Sequence, residues 1–149
     1  DWRQSWLSEY PCDMPSVVPY PRMPLWILLD RAARRYPDQA ACTLYAGSTS
    51  YRELADQSRR LATSLQRLGA RPGKRIGLLL PNTPEYLVAL QAVWLTGATA
   101  LQLSPLMVAE EVAHWVEATD CTTVVTLDLL APAVLSSLGK GPLEHVVLT

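Results

Sequence analysis

Residues 75–84 read R-I-G-L-L-L-P-N-T-P, and the reading of this stretch decides the fold. Arg75 to Leu80 is a near-continuous apolar run, which suits a strand covered on both faces as in parallel sheets. Pro81-Asn82-Thr83-Pro84 turns the chain. Thr83 is expected as an N-cap and Pro84 at the first helical position, where its missing N–H costs nothing. The helix that follows, Pro84 to Thr96, is apolar almost all round through Leu87, Val88, Leu90, Val93, Trp94 and Leu95. Such a helix is buried on more than one side. Gly97 ends it, and Thr99 to Leu103 forms the next strand.

The pattern continues in both directions. Upstream, Ser50 and Glu53 have the S-x-x-E spacing of a capping box. Leu54, Ser58, Leu61, Ala62, Leu65 and Leu68 share one helical face, and Arg52, Asp56, Arg59, Arg60 and Arg67 the other. Asp56 is expected to pair with Arg60, and Gly69 to stop the helix. Before it, Leu25 to Tyr36 has helical spacing after Pro24, and Ala40 to Tyr45 reads as a short strand turned by Gly47. Downstream, Ala109 to Ala118 is a helix with Val112, Trp115 and Val116 inward. Thr122 to Leu127 is a strand, Asp128 to Leu138 a short helix, and His145 to Leu148 a last strand. Strand–helix alternation of this length predicts an α/β layered domain, a mainly parallel sheet flanked by helices, with right-handed crossovers. The expected core holds Ile76, Leu78, Leu80, Leu90, Val93, Trp94, Leu101, Val124, Val125 and Val147.

An extended arm and one domain are expected. Residues 1–23 carry Pro11, Pro15, Pro19 and Pro21 and read as an extended Pro/aromatic-rich arm bearing Trp2, Trp6, Tyr10 and Tyr20. The arm lies against a surface in this reading; a disordered tail is the alternative. Residues 24–149 form a single α/β subdomain. The last residue, Thr149, directly follows a strand, so the chain is read as a piece of a longer one.

Composition narrows function by exclusion. The 149 residues are 49% hydrophobic and 18% charged, a globular balance. Thirteen Lys and Arg against 14 Asp and Glu leave a net charge of −1. That gives no basic excess for nucleic acid and no polybasic run for an anionic membrane. No apolar run reaches the roughly 20 residues of a membrane span. The opening D-W-R-Q-S-W-L-S-E-Y-P shows no secretory leader. Cys12, Cys42 and Cys121 are far apart with no C-x-x-C, which fits a reduced setting.

Candidate chemistry is sparse. The turn at Asn82-Thr83 has no glycine to let a phosphate approach the backbone, and helix capping explains it. Gly139-Lys140 lacks the rest of a phosphate loop and reads as a turn. Ala46-Gly47-Ser48-Thr49-Ser50 has phosphate-loop composition but stands before a capping box, as a hairpin or strand–helix turn does. His114 and His145 have no metal or nucleophile partner at a fitting spacing. Glu110 and Glu111 complement a helix dipole. No residue is assigned as catalytic, cofactor-binding or metal-binding.

The segments nevertheless resemble a known family when read in order. Trp6-Leu7, Tyr10-Pro11, Asp13 and Pro15 resemble the opening of bacterial long-chain fatty acyl-CoA synthetases. Tyr36-Pro37-Asp38-Gln39-Ala40, Ser50-Tyr51-Arg52-Glu53-Leu54, Gly73-Lys74-Arg75-Ile76, Leu80-Pro81-Asn82 and Gly97-Ala98 are similar to stretches of adenylate-forming enzymes. Glu144 to Thr149 is similar to the strand before their catalytic core. The resemblance implies the N-terminal α/β subdomain of an AMP-forming ligase. The whole enzyme would activate a fatty acid with ATP and Mg²⁺ to acyl-AMP and pass it to CoA. The setting is expected to be cytoplasmic, with peripheral membrane contact, and a fragment that leaves an apolar surface uncovered is expected to form homo-oligomers. The chain departs from the pattern at Ser104-Pro105-Leu106-Met107-Val108 and at Glu110, which bears on the acid pocket. The family's phosphate loop, nucleotide-binding acids and catalytic lysine fall beyond Thr149, so ATP, Mg²⁺ and CoA are not expected on these residues. Two other readings stay open: an adenylation domain for an aryl or amino acid, and a free-standing interaction domain.

Overall fold

The apolar run at residues 75–80 becomes the second strand of a four-stranded, wholly parallel sheet in the computed structural model, which describes residues 2–15 and 17–149. The strands are β1 (Ala40–Leu44), β2 (Gly47–Ser50), β3 (Arg75–Leu79), β4 (Thr99–Leu103), β5 (Thr123–Thr126) and β6 (His145–Leu148). The helices are α1 (Trp26–Arg35), α2 (Tyr51–Arg67), α3 (Pro84–Thr96), α4 (Ala109–Ala118) and α5 (Ala131–Leu135). The main sheet runs β4-β3-β5-β6, with Leu78 opposite Gln102 on one side and Val125 on the other.

The strand period of two sorts the core into two layers. Ile76, Leu78, Leu80 and Val125 face α2 and α3, meeting Leu65, Ala89, Ala92 and Val93. Leu79, Leu103 and Val124 face α4 and α5, meeting Val112, Val116 and Val134. The crossover from β3 to β4 runs in one direction through α3, and those to β5 and β6 run in the other through α4 and α5. Opposite directions on opposite faces are what one common handedness requires.

β1 and β2 form a separate antiparallel hairpin, with Leu44 opposite Gly47. Residues 47–50 are therefore a strand leading into α2, one of the two forms expected for that loop. The capping box at its end is complete. The Ser50 N–H and hydroxyl each donate to the Glu53 carboxylate at 2.8 Å, and the Glu53 N–H donates to Ser50 Oγ at 3.3 Å. Those donors hold the Glu53 carboxyl below its ordinary value of 4.5. A lowered folded value means the contribution is full above 4.5 and is lost as pH falls through the folded value. The unfolding midpoint of Glu53→Gln should therefore lie below wild type at neutral pH and converge with it as pH falls below 4.5. Ser50→Ala should cost about 1 kcal/mol.

Several expectations are corrected. Trp2–Glu9 form a 3-10 helix, so the extended reading of the arm fails there. Trp6, Tyr10 and Tyr20 are exposed rather than laid against a surface. Asp1, Ser16 and the side chain of Trp2 lie outside the described residues. Trp94, Leu90, Leu101 and Val147 are half-buried, not buried. In α3 the buried positions are the small Ala89, Ala92 and Val93 together with Gln91 and Thr96. Small residues let α3 approach its neighbours closely, which leaves bulkier Trp94 at the margin beside Trp26. Trp115 is exposed on α4, its ring edge to His114 at 5.7 Å. Asp56 pairs with Arg59 at 2.9 Å rather than with Arg60. Arg59 also reaches Asp30 of α1 at 3.1 Å.

Candidate functional site at the carboxyl edge of the sheet

In an open parallel sheet, ligands bind outside the carboxyl ends of the strands where the strand order reverses. Here that point lies between β3 and β5. The β3 side ends in Leu80-Pro81-Asn82-Thr83, and the β5 side in Leu127-Asp128. The buried Thr126 hydroxyl donates to the Leu79 carbonyl at 3.0 Å and ties the two ends together. The Thr149 N–H donates to the Thr126 carbonyl at 3.1 Å and extends the edge toward β6.

Two clefts flank the start of α3. One, of about 260 Å³, lies between β1 and the turn after β3, lined by Cys42, Leu44, Thr83, Tyr86 and Leu87. The other, of about 380 Å³, lies between α2 and α3 and is lined by Arg60, Leu61, Glu85, Val88 and Thr149. This edge presents apolar side chains outward: Leu106, Val108 and Leu129 in its connections and Leu148 at the end of β6 are all exposed.

The chemistry of this rim is apolar with a few polar groups. From residue 80 to residue 138 the chain has no Lys or Arg, and its one glycine, Gly97, is at the opposite end of α3. A triphosphate needs backbone donors in close approach and a compensating cation; the loops of the rim have no glycine to permit that approach, and the cation within reach is Arg60 of α2, on the second cleft. Among the described residues no group of three or more His, Cys, Asp and Glu could hold a metal ion. The residues present thus do not fit ATP–Mg²⁺.

The singled-out residues do not converge. Thr83 is the N-cap of α3 by backbone, but its side chain makes no capping bond. Its Oγ1 is buried without a partner, which corrects the capping assignment for that hydroxyl. Asn82 is exposed. His114 sits on the outer face of α4. His145 opens β6 at the far end of the sheet, its Nε2 3.9 Å from the Glu144 carboxylate. The Glu111 carboxylate accepts the Val108 N–H at 3.1 Å, a helix-start role, while Glu110 is exposed. Gly139-Lys140 is a turn whose Gly139 N–H donates to the Leu143 carbonyl at 3.1 Å. The three cysteines are free thiols. Burial pushes the Cys121 thiol up, away from nucleophilic use. The apolar rim itself was not anticipated; the exposed leucines that make it stand singly in separate loops, and only the sheet order brings them to one edge.

Strand order β4-β3-β5-β6, helices on both faces and a switch-point crevice define an open, doubly wound α/β fold. Against known proteins, the model of the AMP-binding enzyme family matches residues 29–149, and the chain belongs to that family. The long-chain-fatty-acid–CoA ligase of Bacillus subtilis is 28% identical over 99% of this chain, and that of Salmonella typhimurium 30% over 99%. The chain spans about a quarter of the length of these relatives, 26% and 27%. Among solved structures, a long-chain-fatty-acid–CoA ligase from Archaeoglobus fulgidus superposes with a TM-score of 0.82 at 25% identity, covering 95% of this chain and 30% of that one. The fold is that of the N-terminal part of adenylate-forming ligases, as the sequence implied. Among the described residues no helix is long and apolar enough to cross a membrane.

Proposed function

We propose that this chain is the N-terminal part of an AMP-forming long-chain fatty acid–CoA ligase. In that enzyme it frames the acyl and CoA sites without performing the chemistry. The observation that carries the substrate class is the match, over 99% of the chain, to ligases whose names specify long-chain fatty acids. The apolar carboxyl rim supports it, because such a surface suits an alkyl chain or the neighbouring domain that encloses one. ATP, Mg²⁺ and CoA are then held by residues outside this chain. We further propose that residues 1–23 act as an arm on the 24–149 subdomain. The parent enzyme is cytoplasmic in this reading, and self-associates through its exposed apolar surface.

A second reading has one observation in its favour. The salicyl-AMP ligase of Mycobacterium tuberculosis is 36% identical over 81% of this chain. In that reading the acid is aromatic.

Pyrophosphate exchange with a panel of acids tests both. The longer protein that carries this chain should exchange with long-chain fatty acids, and the 149-residue chain alone with none. Exchange by the longer protein with aryl acids only would favour the second reading. Exchange by the short chain would show that residues 1–149 hold an adenylation site.

A further inference from the structure

The second half of the chain is acidic and holds a polar cleft. Residues 76–149 carry Lys140 as their one Lys or Arg, against seven Asp and Glu. Four of the seven, Glu110, Glu111, Glu117 and Asp120, lie on α4 or just past its end. A cleft of about 390 Å³ runs between α4 and the segment that follows α5. It belongs to the helix layer on the opposite face of the sheet from α3 and its two clefts.

Helical spacing builds one wall. Glu110, Ala113 and Glu117 fall at i, i+3 and i+7, share one stripe of α4 and line the cleft. Two turns of helix set the two glutamates about 10 Å apart along the axis. Ala113 between them is small, so the stretch that joins the carboxylates is apolar and open. The facing wall is Ser136, Ser137 and Lys140. Among the described residues Glu110, Glu117 and Lys140 form no ion pair, with one another or elsewhere. Ser136 Oγ donates to the Ala133 carbonyl at 3.2 Å, which leaves its lone pairs free to accept. Ser137 is 4% exposed, and its hydroxyl is buried with no hydrogen-bond partner. Buried polar groups are normally paired, so this wall is short of one polar partner.

We propose that the cleft between α4 and the segment after α5 binds a linear aliphatic polyamine. Two carboxylates spaced along a groove match two ammonium groups joined by methylenes, and the methylenes lie over Ala113. The serine hydroxyls accept N–H bonds from the same ammonium groups. A single divalent ion is a poorer match, because carboxylates two helical turns apart suit separate charges. Among the described residues no group of three or more His, Cys, Asp and Glu could hold a metal ion. Lys140 is the chain's own alkylammonium at the margin of the cleft. It offers the glutamates an intramolecular partner and adds like charge, so it competes with the ligand.

Isothermal titration calorimetry of the purified protein with spermidine, at low salt, is the test. Neither fatty acid nor ATP is present, so the outcome is independent of the ligase reading. Spermidine, whose terminal nitrogens span the glutamate spacing when extended, should bind. Butylamine, with one charge, should bind about 5-fold more weakly, the scale of one exposed ion pair. Glu110→Gln and Glu117→Gln should each weaken spermidine by about the same factor, and affinity should fall with salt. Lys140→Gln should tighten binding about 2-fold or more, and Glu144→Gln, outside the cleft, should leave it unchanged. Ser137→Ala should weaken binding without lowering the unfolding midpoint, since its hydroxyl has no internal partner to lose. Glu110, Glu117 and Lys140 are exposed, so circular dichroism of their variants should match wild type. No binding of spermidine, equal binding of butylamine, or weaker binding by Lys140→Gln would each overturn the proposal. So would a loss in Glu144→Gln as large as in Glu110→Gln and Glu117→Gln, which would show attraction to overall charge in place of a site.

Discussion

Replacing Leu78 by alanine should lower the unfolding free energy by about 2–5 kcal/mol, the range for a large aliphatic side chain removed from a packed core. Leu78 is fully buried in β3, which has a hydrogen-bonded strand on either side. Its side chain enters the layer formed with Leu65, Ala92 and Val93. Helices on one side and the sheet on the other leave little room for collapse, so a cavity persists. Domains of this kind are stable by about 5–15 kcal/mol in total, so the loss is a large share. Urea unfolding of Leu78→Ala and Leu148→Ala together is the measurement. Leu148 lies in edge strand β6 and is 55% exposed, so its truncation should stay within about 0.5 kcal/mol. The midpoint should move for Leu78→Ala with the slope unchanged. A loss under about 1 kcal/mol there would mean that the two-layer core is not packed as described.

Which parts of this fold were legible follows from how local their signals are. The Ser50–Glu53 box and the Gly69 stop depend on four or five consecutive residues, and both ends of α2 came out as read. The apolar runs at 75–80 and 122–127 stood out because a strand covered on both faces needs no alternation. What failed depended on packing between distant elements. An all-apolar helix such as α3 gives no periodic hint of its outward face, so Trp94 and Leu90 were placed in a core built from Ala89, Ala92 and Val93. Asp56 had arginines at both i+3 and i+4. It took Arg59, which also reaches Asp30 across to α1, a contact 29 residues away in sequence. Prolines from Pro11 onward coloured the reading of residues 1–23, although Trp2–Glu9 contain none and form a 3-10 helix.

The candidate site was less legible for a different reason. Its rim is a property of sheet order. Residues 80–83, 104–108 and 127–130 are ordinary loops until β3, β4 and β5 are set side by side. Family resemblance worked where single motifs did not, because the order of several weak matches along the chain is harder to produce by chance than any one of them.

Gly97→Ala should be the other strongly destabilising change, and a matched substitution separates its two causes. Gly97 closes α3 with φ +76, a left-handed conformation in which a Cβ is strained. An added Cβ would also lie 2.9 Å from Cγ of Pro72 and 3.3 Å from its Cδ. The pyrrolidine ring cannot swing aside as a flexible chain end would, so the backbone at the start of β4 must shift. Gly69 closes α2 with φ +91, yet a Cβ there meets nothing within 4 Å. Gly69→Ala therefore reports the backbone cost alone, about 1 kcal/mol. Gly97→Ala adds an overpacking cost of about 1–3 kcal/mol to that. Asn tolerates the left-handed region, so Gly69→Asn should recover most of the loss at that site and Gly97→Asn only the conformational part. Chemical unfolding of the four variants measures the differences. Equal losses for Gly97→Ala and Gly69→Ala would show that Pro72 yields, and that the contact between the end of α3 and the turn before β3 is looser than the 2.9 Å approach requires.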